Sequence, residues 1–74
     1  LQYTAADLNG QTRYISFSLA FNAQGQLSES QITQSTGIKA LDHSLYQQIQ
    51  KALLYQHHAP ARLNLPLVLE NMPQ

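Results

Sequence analysis

Between Arg13 and Phe21 the side chains alternate without a break. Ile15, Phe17, Leu19 and Phe21 fall on one side of an extended chain, and Ser16, Ser18 and Ala20 on the other. Side chains in a strand change face at every residue, so this segment has one face to bury and one small, polar face for solvent. A single buried face is the habit of antiparallel sheets. The chain has 74 residues and no Cys. A domain that short buries barely enough apolar surface to offset its ordering entropy. With no disulfide available, one small domain with a regular core, a metal or a partner is what remains.

The strand runs into Asn22-Ala-Gln-Gly25, a turn with Gly25 at its left-handed position. Gln26 to Ser35 reads as the return strand. Its apolar residues Leu27 and Ile32 are five apart and share a face only if a bulge between them restores the phase. Ser35-Thr36-Gly37 breaks the strand, and a helix begins somewhere from Ile38 to Asp42. Asp42 either caps it or sits in its first turn, where a negative charge suits the positive end of the macrodipole. Leu41, Leu45, Ile49, Ala52 and Leu53 form an apolar stripe. Tyr46, Leu54 and Tyr55 widen it, and Gln47, Gln50 and Lys51 face water. This pattern places His57 and His58 in the last turn, with Pro60 as the stop.

Arg62 to Glu70 reads as a third strand, with Leu63, Leu65, Leu67 and Leu69 on one face. Pro66 has no N–H to give to a ladder, so the strand belongs at a sheet edge or is unpaired locally at Pro66. The lead-in, residues 1–11, is less regular. Tyr3 to Asp7 reads either as a helical turn or as a short strand. Asn9-Gly10 is a turn dipeptide that closes a hairpin only if an extended segment precedes it. Asn71 to Gln74 is a tail. The expected fold is therefore α+β: a small antiparallel sheet of about three strands with one helix across one face, in the order strand, strand, helix, strand, as one domain over residues 1–74.

Composition narrows the function. Formal charge is zero, with Lys and Arg four in all, so there is no basic patch for a nucleic acid. Charged residues are 11%, against about 25% in typical soluble domains; Gln, Ser, Asn and Thr supply the polarity, in the manner of exported surfaces. No apolar run approaches the ~18 residues that cross a bilayer. No signal peptide is visible at Leu1 and the chain does not begin with Met. We expect a fragment or mature domain, with any membrane anchor upstream.

Catalytic and metal sites find little support. His57 and His58 are adjacent, so on a helix they point about 100° apart and rarely chelate one ion. His43 lies several turns away, and no Cys or nearby carboxylate completes a set. Asp42-His43-Ser44 holds the three residue types of a hydrolase triad, but a triad needs side chains converging from separate segments. Asp7, Glu29, Asp42 and Glu70 pair as catalytic carboxylates only by accident of the fold. Gly25 and Gly37 are turn residues, since no Lys-Ser/Thr follows either as in a phosphate loop. No enzyme activity, metal or cofactor is expected.

The order of these parts resembles the C-terminal domain of TonB-like energy transducers. A common form of that domain carries an extended "G-x-V-x-V-x-F-x-V" strand, a "D-x-x-G-x-V" turn, a "S-S-G" end to the second strand and an "x-L-D-x-A" helix start. A "P-A" and a "P-V-x-F" strand follow. Here Ile15 to Phe21, Asn22 to Leu27, Ser35-Thr36-Gly37, Leu41-Asp42, Pro60-Ala61 and Leu65 to Leu69 stand in those places. The likeness covers about Tyr14 to Leu69. Gln56 and His58 stand where the family has a Trp and another aromatic residue. The TolA C-terminal domain shares the order of elements and usually carries a disulfide, which this chain lacks.

The resemblance implies a periplasmic domain, tethered to the inner membrane by a segment absent here and driven by an ExbB/ExbD-type motor. It implies a grip on a short extended peptide of an outer-membrane receptor or other envelope protein by strand addition to a sheet edge. The candidate peptide-binding residues are Leu63, Asn64, Leu65, Leu67, Val68 and Leu69. The rival expectation is an oligomerisation or assembly domain of a pilus, secretion or other envelope complex. In that case the same edge pairs with a second copy in a homodimer.

Overall fold

The computed structural model describes residues 1–70. Four elements follow in the order β1 (Arg13–Phe21), β2 (Leu27–Gln34), α1 (Lys39–Ala52) and β3 (Arg62–Leu69). The strands form one antiparallel sheet in the order β2-β1-β3, with β1 in the centre. The chain is a small α+β fold with its helix on one face of the sheet, as the alternation and the apolar stripe require.

The alternation of β1 decides where the core lies. Ile15, Phe17, Leu19 and Phe21 are buried together with Leu41, Leu45 and Ile49 of α1. Leu69 of β3 and Leu8 of the lead-in complete the cluster. Phe17 and Leu19 sit in the middle of the central strand. At roughly 1.5–3 kcal/mol for each fully buried large apolar side chain, these residues supply most of what offsets chain ordering.

β2 follows β1 through the expected turn, with the Gly25 N–H donating to the Asn22 carbonyl at 3.0 Å and Gly25 at φ 83°. Phe21 faces Leu27 while Ala20 faces Glu29, so Ser28 is the extra residue of a bulge. That bulge puts Leu27 and Ile32 on the core face, opposite Phe21 and Phe17. A second irregularity at Thr33, between the Phe17–Ile32 and Ser16–Gln34 pairs, has no such signature in the hydropathy pattern.

Helix α1 begins after Ile38, whose side chain makes no cap. Asp42 is not the cap but sits in the first turn and ties the helix to the segment before it. Its carboxylate accepts from the Thr36 N–H at 2.9 Å and the Thr36 hydroxyl at 2.6 Å, and from the Ser35 hydroxyl. Burial alone would raise the Asp42 pKa, but these hydrogen bonds outweigh it and hold the carboxyl below its ordinary value.

The helix ends earlier than its apolar pattern suggests. It stops at Ala52, which is exposed, and Leu53 is the C-cap. His57 and His58 are therefore not in its last turn, and Pro60 lies in the following loop. The cause is a competing set of backbone partners. The Leu27 N–H donates to the Leu54 carbonyl at 2.9 Å, and the Gln56 N–H donates to the Gly25 carbonyl at 2.9 Å. Tyr55 bridges to Gln26 between them. Leu54 and Tyr55 thus leave the apolar stripe and stand 61% and 58% exposed. Gln50 departs from its water-facing expectation too; it is half-buried and hydrogen-bonded to Ser30 and Tyr46.

The lead-in is a helical turn, not the strand of a hairpin. Thr4 and Asp7 cap each other reciprocally, N–H to side chain in both directions, at 2.9 and 3.1 Å. Asn9 and Gly10 both take positive φ, 55° and 72°, and reverse the chain into β1. The turn drives Leu8 into the core, and the Arg13 Nε–H holds it there by donating to the Leu8 carbonyl at 3.0 Å. The expected tail at Asn71 to Gln74 lies outside the described residues. Among the described residues no helix is long and apolar enough to cross a membrane.

Candidate functional site

Two strands, β2 and β3, form the edges of the sheet, and their free backbone groups differ. In an antiparallel pair, hydrogen-bonded and non-hydrogen-bonded residues alternate. The Phe21 N–H donates to the Ala61 carbonyl at 3.0 Å. The register from there is unbroken through Arg62–Ala20, Asn64–Ser18, Pro66–Ser16 and Val68–Tyr14. By alternation, Leu63, Leu65, Leu67 and Leu69 turn their backbone groups towards β1. Arg62, Asn64, Pro66 and Val68 turn theirs outward.

This parity explains how Pro66 fits. Its missing donor is on the outward side, so the ladder to β1 loses nothing and pairing continues through Pro66 without a gap. Of the two placements the sequence left open for β3, the edge position is the one adopted.

The six candidate residues divide into two kinds. Asn64 and Val68 offer outward N–H and C=O groups. Leu63, Leu65 and Leu67 are half-buried and Leu69 is buried, and they form an apolar shelf on the helix side. The outward groups of two further residues fall outside that set, the N–H and C=O of Arg62 and the carbonyl of Pro66. The signal for them was in the sequence: a proline tolerated in a paired strand faces its nitrogen outward, and residues two apart share its direction. On the opposite face Tyr14 and Val68 are cross-strand neighbours, 54% and 55% exposed.

From Leu63 to Leu69 there is no charged side chain. The Arg62 guanidinium leans across the sheet instead, donating to the Ser18 hydroxyl at 3.3 Å and lying 3.9 Å from the Glu29 carboxylate. That ion pair is solvent-exposed on both sides and contributes little to stability.

The β2 edge is occupied in part. Its Leu27 N–H is taken by the Leu54 carbonyl. Its Ser30 carbonyl accepts the Tyr46 hydroxyl at 2.9 Å. The Ser30 hydroxyl is bonded to the Tyr46 and Gln50 side chains at 2.9 and 3.1 Å. Two irregularities bend the strand, and Glu29 adds a charge. An open groove of about 810 Å³ lies on this side, lined by Ser30, Gln31, Tyr46, Gln47, Gln50 and Lys51 among others.

The histidines do not assemble a ligand set. The His57 and His58 rings stack at a 52° tilt with centroids 4.0 Å apart, both exposed. Among the described residues no three His, Asp or Glu side chains converge. The chain matches no protein-family model, no curated protein and no solved structure.

Proposed function

We propose that this domain is an adaptor or energy-transducing domain of the cell envelope that holds a short extended peptide by adding it as a strand to β3. The observation that carries the reading is the contrast between the two edges. β3 presents the outward N–H groups of Arg62, Asn64 and Val68 with uncharged side chains from Leu63 to Leu69, whereas on β2 the loop after α1 takes the Leu27 N–H and Tyr46 takes the Ser30 carbonyl. Unpaired edge groups are a template for a further strand, and alternate side chains of that strand meet the flanking apolar surface. Here that surface is the half-buried shelf of Leu63, Leu65 and Leu67.

Strand addition suits the transmission of force, because backbone hydrogen bonds loaded in shear share the pull. The likeness to TonB-like domains extends the proposal. The peptide then belongs to an outer-membrane receptor or another envelope protein, the domain works in the periplasm, and an upstream tether connects it to an ExbB/ExbD-type motor.

The test is amide-shift mapping by NMR while receptor-derived peptides from the same organism are titrated in. Shifts at the Arg62, Asn64 and Val68 amides, weakened by Val68→Pro, are expected. Shifts confined to Leu27 to Ser35 would move the site to the other edge. Silence with every peptide, together with concentration-dependent dimerisation, would replace this reading with self-assembly.

A further inference from the structure

The two edges of the sheet are defended by different means. β2 carries a strap at Leu54, a hydroxyl cap from Tyr46, two irregularities and Glu29. These devices act on any extended partner alike, a second copy or a peptide. β3 carries one device, Pro66, whose nitrogen faces outward by the alternation established above.

We propose that Pro66 is a specificity-determining residue that turns β3 away from a second copy of this chain while leaving it open to a single peptide strand. This rests on β3 being a peptide-accepting edge, but its test needs no peptide, so the two readings fail separately.

The argument is one of symmetry. Two copies joined edge to edge by a closed two-fold pair antiparallel, so each strand sees the other's Pro66. In the register of fullest overlap Asn64 of each copy lies opposite Pro66 of the other. One Asn64 carbonyl is left without a donor in each half, so the dimer forfeits a hydrogen bond twice. A register that sets Pro66 against Pro66 forfeits both bonds of that pair. Slipping both prolines out of the overlap leaves only the strand ends in contact. A peptide without proline forfeits one bond, opposite Pro66, and keeps those to Arg62, Asn64 and Val68.

A charge at this edge would not discriminate in that way unless the peptide were of opposite sign. Proline adds no charge and costs the symmetric pairing more than the asymmetric one. Its ring is exposed on the outer face, so a β-branched residue fits there without repacking the core.

Sedimentation equilibrium of the chain, wild type against Pro66→Val, reads the effect directly. Two restored donors are expected to tighten self-association by about tenfold or more, with new hydrogen-exchange protection at the amide of Asn64 and at the amide that the substitution creates. Adding Val68→Pro to Pro66→Val removes an outward donor again and is expected to return the chain to the wild-type association constant. Thermal melts of all three variants confirm that the fold is kept; Pro66→Thr serves in place of Pro66→Val if valine lowers the melting temperature. Equal self-association of wild type and variant, or dimerisation of the variant with protection on β2 instead of β3, overturns the proposal.

Discussion

The Tyr46 hydroxyl lies 2.9 Å from the Ser30 carbonyl oxygen and donates to it. A side chain of α1 thereby occupies an outward acceptor of β2, and the Ser30 hydroxyl and Gln50 amide close the network around it. Tyr46 is thus both a packing residue and a cap on a sheet edge. Tyr46→Phe keeps the ring and removes the cap. Urea denaturation is expected to show a loss of about 1 kcal/mol. An unchanged midpoint would mean that water replaces the hydroxyl at no cost.

Gly25 has the least room for a side chain of the three glycines. A Cβ there would stand 2.4 Å from the Gln56 carbonyl oxygen, and its φ of 83° is one that L side chains rarely adopt. Gly25→Ala must displace the loop after α1 as well as strain the turn. A loss of at least about 2 kcal/mol is expected, with the Gln56 amide losing its protection from hydrogen exchange. A melt within a degree or two of wild type would show that the loop is not fastened at this point.

The parity of β3 predicts opposite outcomes for prolines placed one residue apart. Leu67 donates inward, so Leu67→Pro leaves a carbonyl of β1 unpaired and should cost about 3 kcal/mol or more. Val68 donates outward, so Val68→Pro should change stability by about 1 kcal/mol at most. Thermal unfolding of the two variants decides the matter. Equal damage from both would place the hydrogen-bonding phase of β3 elsewhere.

Asp42 ties the start of α1 to the end of β2, and its carboxyl is held below its ordinary pKa. A folded-state pKa below the unfolded value of about 3.9 means that the folded form binds the proton less readily. The stabilisation is complete above the unfolded pKa and fades as pH falls through the folded one. Asp42→Asn should therefore be less stable than wild type at neutral pH, and the gap should close as pH drops below about 4. A gap that stays constant as pH falls far below the unfolded value would assign the effect to packing and not to the charge.

The sequence determined several features that depend on neighbours a few residues apart. Period two placed Ile15, Phe17, Leu19 and Phe21 on the core face. Positive-φ residues placed the turns at Asn9-Gly10 and Gly25. The phase gap between Leu27 and Ile32 demanded a bulge, which falls at Ser28. Pro66 required an edge or a local break in the pairing. Three features depended on groups far apart in the chain. Leu8 is an isolated leucine in a polar lead-in, and only the docking of its turn beside β1 buries it. The apolar pattern of α1 continues through Leu53, Leu54 and Tyr55, yet the helix stops because Gly25 and Leu27 supply other backbone partners. Which edge stays open was likewise a tertiary outcome. Both edge strands present outward backbone donors and acceptors, and the position of Tyr46 and Leu54 in space decides that β2 is the one with some of its own already bonded.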